Sequence, residues 1–87
     1  MYVIVVYDTA VERNAAILRT CRQYLHHVQR SVFEGHLSQA QLARFEHAVK
    51  QAINPDHDHV LCYTLPPGAE PHRRSIGTGK PEPSNIL

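Results

Sequence analysis

An uninterrupted apolar strand near the start of this chain limits the folds open to it. Residues 2–7 are Tyr-Val-Ile-Val-Val-Tyr, all β-branched or aromatic and without polar alternation. Strands covered on both faces have this pattern, whereas half-exposed strands alternate. We therefore expect a central strand.

The chain has no apolar run of ~18 residues that could span a membrane, and the strand lacks the basic leader of a signal peptide, which predicts a cytoplasmic protein.

Two segments with helical periodicity follow that strand. Residues 11–26 repeat apolar side chains every three or four positions, with charged residues on another face. Ser38 begins a capping signal in which Gln41 can return a hydrogen bond to the cap backbone. We expect the second helix to run from there to the residue before Asn54-Pro55.

Three further segments are predicted to be extended. Residues 27–37 fit either one bent strand or two short strands joined by a tight kink, with Gly35 as a bulge or bend. Residues 59–65 form a buried strand, and a short strand is expected around 74–78. Residues 80–87 have no periodicity, which predicts a flexible tail.

The order of these elements, β-α-β(β)-α-β, is that of the ferredoxin-like α+β sandwich, an antiparallel sheet with both helices on one face. We expect a single domain over residues 1–79, with the C-terminal strand as an extra element. A domain this small has only marginal stability as a monomer. The sheet face opposite the helices would also be exposed to solvent unless another surface packed on it. A second copy packed sheet against sheet, a homodimer, is the simplest such surface.

Cysteine and histidine give weak signals. Cys21 and Cys62 are isolated in sequence, which predicts reduced core residues rather than a disulfide or a zinc-thiolate site. His57-Asp58-His59 could hold a metal ion adventitiously, but nothing upstream completes a metal motif with recognised spacing.

The charge distribution is uneven although the net charge is only +1. Four arginines and one acid lie between residues 11 and 30, and a local basic surface of this kind suits a polyanion that touches one face. The alternative is an ordinary solvated helix face. The arginines are Arg13, Arg19, Arg22 and Arg30.

Asp8 is the candidate catalytic and metal-binding residue. It follows the first strand directly, at a sheet end where sites often lie. Mg²⁺ usually needs one or two carboxylates and keeps several waters, so two Asp8 side chains meeting across a dimer axis would make a better site than one. The alternative is that Asp8 caps the following helix or fixes a turn.

Three stretches together resemble one family. They are the strand that ends in Tyr7-Asp8, the block Gln-Arg-Ser-Val-Phe-Glu-Gly at 29–35, and Val-Leu-Cys-Tyr-Thr-Leu at 60–65. Their order and separation are similar to those of the CRISPR-associated protein 2 family, through about residue 79. The resemblance implies a ferredoxin-like dimer whose last strand crosses to the partner's sheet.

The resemblance also implies roles for individual residues. Asp8 matches an aspartate that pairs across the dimer axis around Mg²⁺ or Mn²⁺, and Arg13 matches the arginine that opens the first helix. Ser31 and Phe33 match supporting residues. Ala15 stands where many relatives have a second basic residue, which weakens the nuclease interpretation more than a scaffold role.

Two functions follow from the resemblance, and a third remains open. The first is a subunit for spacer acquisition in antiviral defence, a homodimer that binds double-stranded DNA for the CRISPR-associated protein 1 integrase. The alternative is a metal-dependent endonuclease acting on single-stranded RNA or double-stranded DNA, and we expect any such cleavage to be slow. A small-ligand or regulatory domain is the third hypothesis, which no ligand motif supports.

Overall fold

A computed structural model describes residues 1–77 and 79 of the chain. The predicted tail at 80–87 and Thr78 lie outside the described residues. Two helices and four strands make up the fold, with one turn of 3-10 helix at Val11–Arg13 before the first helix. The elements are β1 (Tyr2–Asp8), α1 (Asn14–Tyr24), β2 (His26–Gln29), β3 (Val32–His36), α2 (Gln39–Ala52) and β4 (His59–Leu65).

The four strands form one antiparallel sheet in the order β2-β3-β1-β4. The ferredoxin-like α+β prediction is confirmed, and β1 is a central strand, as its unbroken apolar sequence indicated. Val5 shows the register, since it pairs with Phe33 of β3 on one side and with Cys62 of β4 on the other.

The two faces of β1 have different surroundings. Side chains alternate along a strand, and Val3, Val5 and Tyr7 point into the core while Ile4 and Val6 are only half-buried on the opposite face. Both helices contribute to that core, so they lie on the same side of the sheet. The remaining core residues are Ile17, Leu18, Cys21, Leu25, Phe33, Leu37, Phe45 and Val49.

Residues 27–37, where the sequence left two alternatives open, form two strands. The kink is a turn at Arg30–Ser31, where Arg30 has a positive φ of 34°. The first helix ends at Tyr24, two residues before its predicted end at His26, which opens β2 instead.

The predicted bulge or bend at Gly35 is wrong. Gly35 pairs regularly with Val3, and the irregularity in this hairpin falls between His27 and Gln29. A Cβ atom at Gly35 would lie 3.3 Å from Leu25 Cδ2, so close packing against Leu25 is what this position requires.

The helix start at Ser38 is confirmed in detail. Ser38 Oγ accepts a hydrogen bond from the Gln41 amide at 3.1 Å, and Gln41 Oε1 accepts one from the Ser38 amide at 2.9 Å. This reciprocal capping box satisfies two amide donors that a helix start otherwise leaves unpaired.

Neither α1 nor α2 is long and apolar enough to cross a membrane, and this holds for every helix in the described residues.

The C-terminal segment differs from its prediction. Residues 74–77 are not in a strand, and Thr78 of the predicted strand is outside the described range. Two side chains of this segment reach strand β3 instead, where Glu70 contacts His36 and Arg73 contacts Glu34. These contacts direct the segment across the sheet face that is turned away from the helices, rather than alongside the backbone of an edge strand.

Cys62 does not belong to the core, in contrast to its prediction, because β4 is an edge strand and leaves it exposed. Cys21 on α1 is fully buried, as expected.

Candidate nucleic-acid interface

Asp8 is exposed at the end of β1. Its Cα lies opposite that of His59, on the last pair of the β1–β4 ladder. Strand alternation places its side chain on the same face as Val6, away from the helices. The cap positions of the 3-10 turn and of α1 are held by Ala10 and Arg13, so Asp8 caps neither. Its carboxylate is therefore available at one end of the open face.

One chain supplies an incomplete donor set for a metal ion at this position. The residues described contain no group of three or more His, Cys, Asp and Glu side chains that could hold a metal. The neighbouring Thr9 hydroxyl already donates a hydrogen bond to Asn14 Oδ1 at 2.6 Å. Mg²⁺ usually takes one or two carboxylates and keeps several waters, so Asp8 could supply one carboxylate to such an ion but not a complete site.

Arg19 and Arg22 lie together on the exposed face of α1. They are three residues apart and hence neighbours on the helix surface, and both line a shallow depression of about 350 Å³. Ala15 also lines this depression. Within the described residues, neither arginine takes part in an ion pair, so both are available to an external anion.

Arg13, by contrast, is occupied within the protein. Its Nη2 donates a hydrogen bond to Asp58 Oδ1 at 3.0 Å, and its Nε donates one to Asp58 Oδ2. Its Nη1 lies 3.4 Å from Glu12 Oε1. Arg13 therefore does not join Arg19 and Arg22 as an available cation.

Asp58 was not identified as a functional residue from the sequence, where it appeared only as a member of the His57-Asp58-His59 cluster. Its side chain has no solvent exposure and faces inward, away from any such cluster. The Arg13 guanidinium, with the amides of Asn54 and Ala10, holds the pKa of the Asp58 carboxyl well below its usual range, although burial acts in the opposite direction. Arg13 and Asp58 are 45 residues apart, and no local pattern links them.

Arg30 lies at the same end of the sheet as Asp8. It is exposed in the β2–β3 turn, and the next residue, Ser31, accepts a hydrogen bond through its carbonyl from the Tyr7 amide at 3.1 Å. The turn is thus attached to β1 one residue before Asp8. Arg30 is therefore positioned near Asp8, whereas Arg19 and Arg22 are carried by α1.

Phe33 is a core residue. It has no solvent exposure and stacks on His27, with ring centroids 4.3 Å apart, and on Tyr7 at 6.2 Å. Both Phe33 and the Ser31 carbonyl fix the β2–β3 hairpin against β1. Phe33 therefore does not present its ring to a ligand at the surface near Asp8.

The sequence and the fold were compared with known proteins. The family model described as CRISPR associated protein Cas2 matches residues 1–70. A CRISPR-associated endoribonuclease Cas2 from Frankia alni is 51% identical over 63 residues, which cover 72% of each chain. The protein of the same name from Thermococcus kodakarensis is 39% identical over 87 residues and covers all of both chains.

Solved structures give the same result. A crystal structure titled cas2 superposes with a TM-score of 0.76 at 41% identity and covers 94% of each chain. Streptococcus pyogenes Cas2 at pH 6.5 superposes with a TM-score of 0.77 at 28% identity, over 88% of this chain and 100% of that one. With a family match over most of its length and full-length relatives, this chain belongs to the CRISPR-associated protein Cas2 family.

Proposed function

We propose that the protein is a DNA-binding subunit for spacer acquisition, working as a homodimer with the CRISPR-associated protein 1 integrase. The observation that carries this proposal is the pair Arg19 and Arg22, exposed on one helix beside a shallow depression and without internal ion-pair partners among the described residues. Arginine offers paired donors that match phosphate oxygens. Phosphate contacts hold a duplex in position without selecting its sequence, which is what the capture of foreign DNA of any sequence requires.

The open face of the sheet supports the homodimer. On that face, β1 separates β4 from the Glu34 and His36 side chains that the C-terminal segment contacts. The side chains of β1 and β4 there are largely apolar, and two of them are well exposed, Leu61 at 41% and Tyr63 at 55%. Exposed apolar patches on small proteins mark interaction sites. A second copy would cover this patch with an identical one and place both sets of arginines on one body. The apolar residues that alternation assigns to this face are Tyr2, Ile4, Val6, Val32, Leu61, Tyr63 and Leu65.

Duplex affinity of a double variant tests the proposal. Arg19→Gln/Arg22→Gln removes the available cations, and Arg44→Gln on the exposed surface of α2 serves as the control, since it changes the net charge at a position outside the interface. We expect the double variant to bind a duplex about tenfold or more weakly at moderate salt, because each lost phosphate contact removes counterion release. Equal loss in the Arg44→Gln control, or no loss in the double variant, contradicts the proposal.

Metal-dependent cleavage of nucleic acid is the second candidate function. It is favoured by the exposed Asp8 carboxylate at the end of the open face and by the name endoribonuclease given to the relatives. Two Asp8 carboxylates in a dimer would hold Mg²⁺ or Mn²⁺, an ion that polarises a phosphate and activates water when bound. Asp8→Asn in the purified dimer is the test, and cleavage that survives this change excludes Asp8 as its source.

The proposed role also fixes where the protein acts. Foreign DNA captured inside the cell is the proposed substrate, so we assign the protein to the cytoplasm. Co-purification with the integrase distinguishes this role from that of a small-ligand or regulatory domain. A chain that binds neither the integrase nor nucleic acid would favour the latter.

A further inference from the structure

Asp58 joins the segment between β1 and α1 to the turn before β4, two parts of the chain that are distant in sequence. Besides the two donors of Arg13, its carboxylate accepts hydrogen bonds from the Ala10 amide at 2.9 Å and from the Asn54 amide at 2.8 Å. Ala10 belongs to the loop that follows Asp8, Arg13 ends the 3-10 turn before α1, and Asn54 lies in the turn before β4. All four donors converge on one side chain that has no solvent exposure.

These four hydrogen bonds compensate the free-energy cost of burying the ionised Asp58 carboxylate. An ionised carboxylate is tolerated in the interior when it is paired and all its acceptor sites are used. Arg13 provides the paired charge and two parallel donors, the geometry that suits a carboxylate best. Replacing Arg13 would leave the buried Asp58 charge without its partner, and replacing Asp58 would remove the acceptor that attaches the loop between Asp8 and α1 to the turn before β4.

The charge around Arg13 also makes it a poor phosphate contact. Its guanidinium faces the carboxylates of Asp58 and Glu12, so one positive charge is shared with two negative charges. Arg19 and Arg22 have no such neighbours among the ion pairs of the described residues. A phosphate approaching Arg13 would reach only the N–H groups that Asp58 leaves free, and it would meet the negative charges of Asp58 and Glu12 beside them.

We propose that Asp58 is a positioning residue for the interface, and that Arg13 acts through Asp58 rather than by contacting nucleic acid. Together they hold the loop that follows the exposed Asp8 and leads to α1, the helix that carries Arg19 and Arg22. This inference rests on the proposed nucleic-acid function, and it assigns to Arg13 a different role from the one that the family resemblance implied.

Amide hydrogen exchange tests the attachment without nucleic acid. Asp58→Asn and Arg13→Lys should both accelerate exchange at the Ala10 amide, since Asn is a weaker acceptor and Lys cannot form the bidentate pair. Val49→Ala, a core variant on α2, is the control for a general loss of stability. Unchanged exchange at Ala10 in both Asp58→Asn and Arg13→Lys, relative to this control, overturns the proposal.

Duplex affinity as a function of salt tests the role. Asp58→Asn should weaken binding several-fold relative to Val49→Ala at a temperature where both are folded, and Arg13→Gln should add no further loss to Asp58→Asn. Arg13→Gln should keep the wild-type salt slope, whereas Arg19→Gln should lower it by about 0.9 for each lost phosphate contact. A lower slope in Arg13→Gln, or wild-type affinity in Asp58→Asn, overturns the inference. An unchanged slope in Arg19→Gln instead contradicts the proposed function, while the exchange data still decide the attachment.

Discussion

Val6 and Leu61 lie directly opposite each other in the β1–β4 ladder, and both side chains point to the sheet face that is turned away from the helices. Leu61 remains 41% exposed despite its apolar neighbour. A cross-strand apolar pair in this position stabilises the sheet itself only modestly. The pair also forms part of an apolar surface that a second copy of the chain can cover.

Leu61→Asp is therefore expected to dissociate the dimer without unfolding the chain. The change places a charge in the centre of the proposed contact, where pairing would bury it without a partner. Sedimentation equilibrium measures the outcome as a fall to the mass of one chain. Val11→Asp, at a position that is 82% exposed outside the sheet, is the matched control and should remain dimeric. A Leu61→Asp variant that stays dimeric shows that another surface is used.

Acid should weaken the fold partly through Asp58. A carboxyl whose pKa is depressed in the folded state contributes stability above its unfolded pKa, near 4, and this contribution is lost as the pH falls through the folded value. Arg13 lowers the pKa of Asp58 in this sense. We expect the free energy of unfolding of the wild type to decline below about pH 5, and Asp58→Asn to be less stable at neutral pH with a shallower decline. Urea denaturation at several pH values measures both, and equal declines would show that Asp58 is not the group responsible.

Phe33→Ala should cost about 3–5 kcal/mol in the free energy of unfolding, the usual cost of deleting a buried phenylalanine ring. Phe33 has no solvent exposure and packs between His27 and Tyr7. Chemical denaturation measures this cost, with Ile76→Ala as a control at a position that is 96% exposed. A fully stable Phe33→Ala variant that fails to bind a duplex would instead indicate a direct contact with nucleic acid.

The two cysteines should differ in reactivity. Burial raises the pKa of both thiols, that of Cys21 to about 12. The Cys21 side chain has no solvent exposure, whereas Cys62 is exposed on the edge strand β4. A thiol reagent at mildly alkaline pH should modify Cys62 in the native protein and Cys21 only after denaturation. Mass spectrometry of the labelled peptides decides this, and prompt native labelling of Cys21 would show that α1 opens readily.

Local patterns predicted most of the fold. The apolar run of β1 and the Ser38 capping box are short-range signals, and the structure confirms both elements. The turn at Arg30 was ambiguous because an arginine with positive φ gives no sign in sequence of the kind that glycine or asparagine gives. Residues 74–77 do not form the predicted strand, and Glu70 and Arg73 contact β3 instead, through partners that only the folded sheet brings close.

The candidate site was predicted less completely. Asp8, Arg19 and Arg22 are exposed, as an interface requires, because their positions follow from strand ends and helix spacing. Arg13 was expected to belong with the other arginines, since charge in a sequence does not reveal its partner. Asp58, whose carboxylate pairs with Arg13, follows α2 in sequence and is 45 residues from Arg13. Only the packing of the two loops brings these side chains together.

The central claim is that two chains together present their arginines to one duplex. The mass of the complex formed with one short duplex tests it most directly. The account predicts that sedimentation velocity will show two chains on each duplex, and that the Leu61→Asp chain will bind far more weakly because it presents only half of the arginines. A complex of one chain per duplex, formed with wild-type affinity by the Leu61→Asp variant, would contradict it.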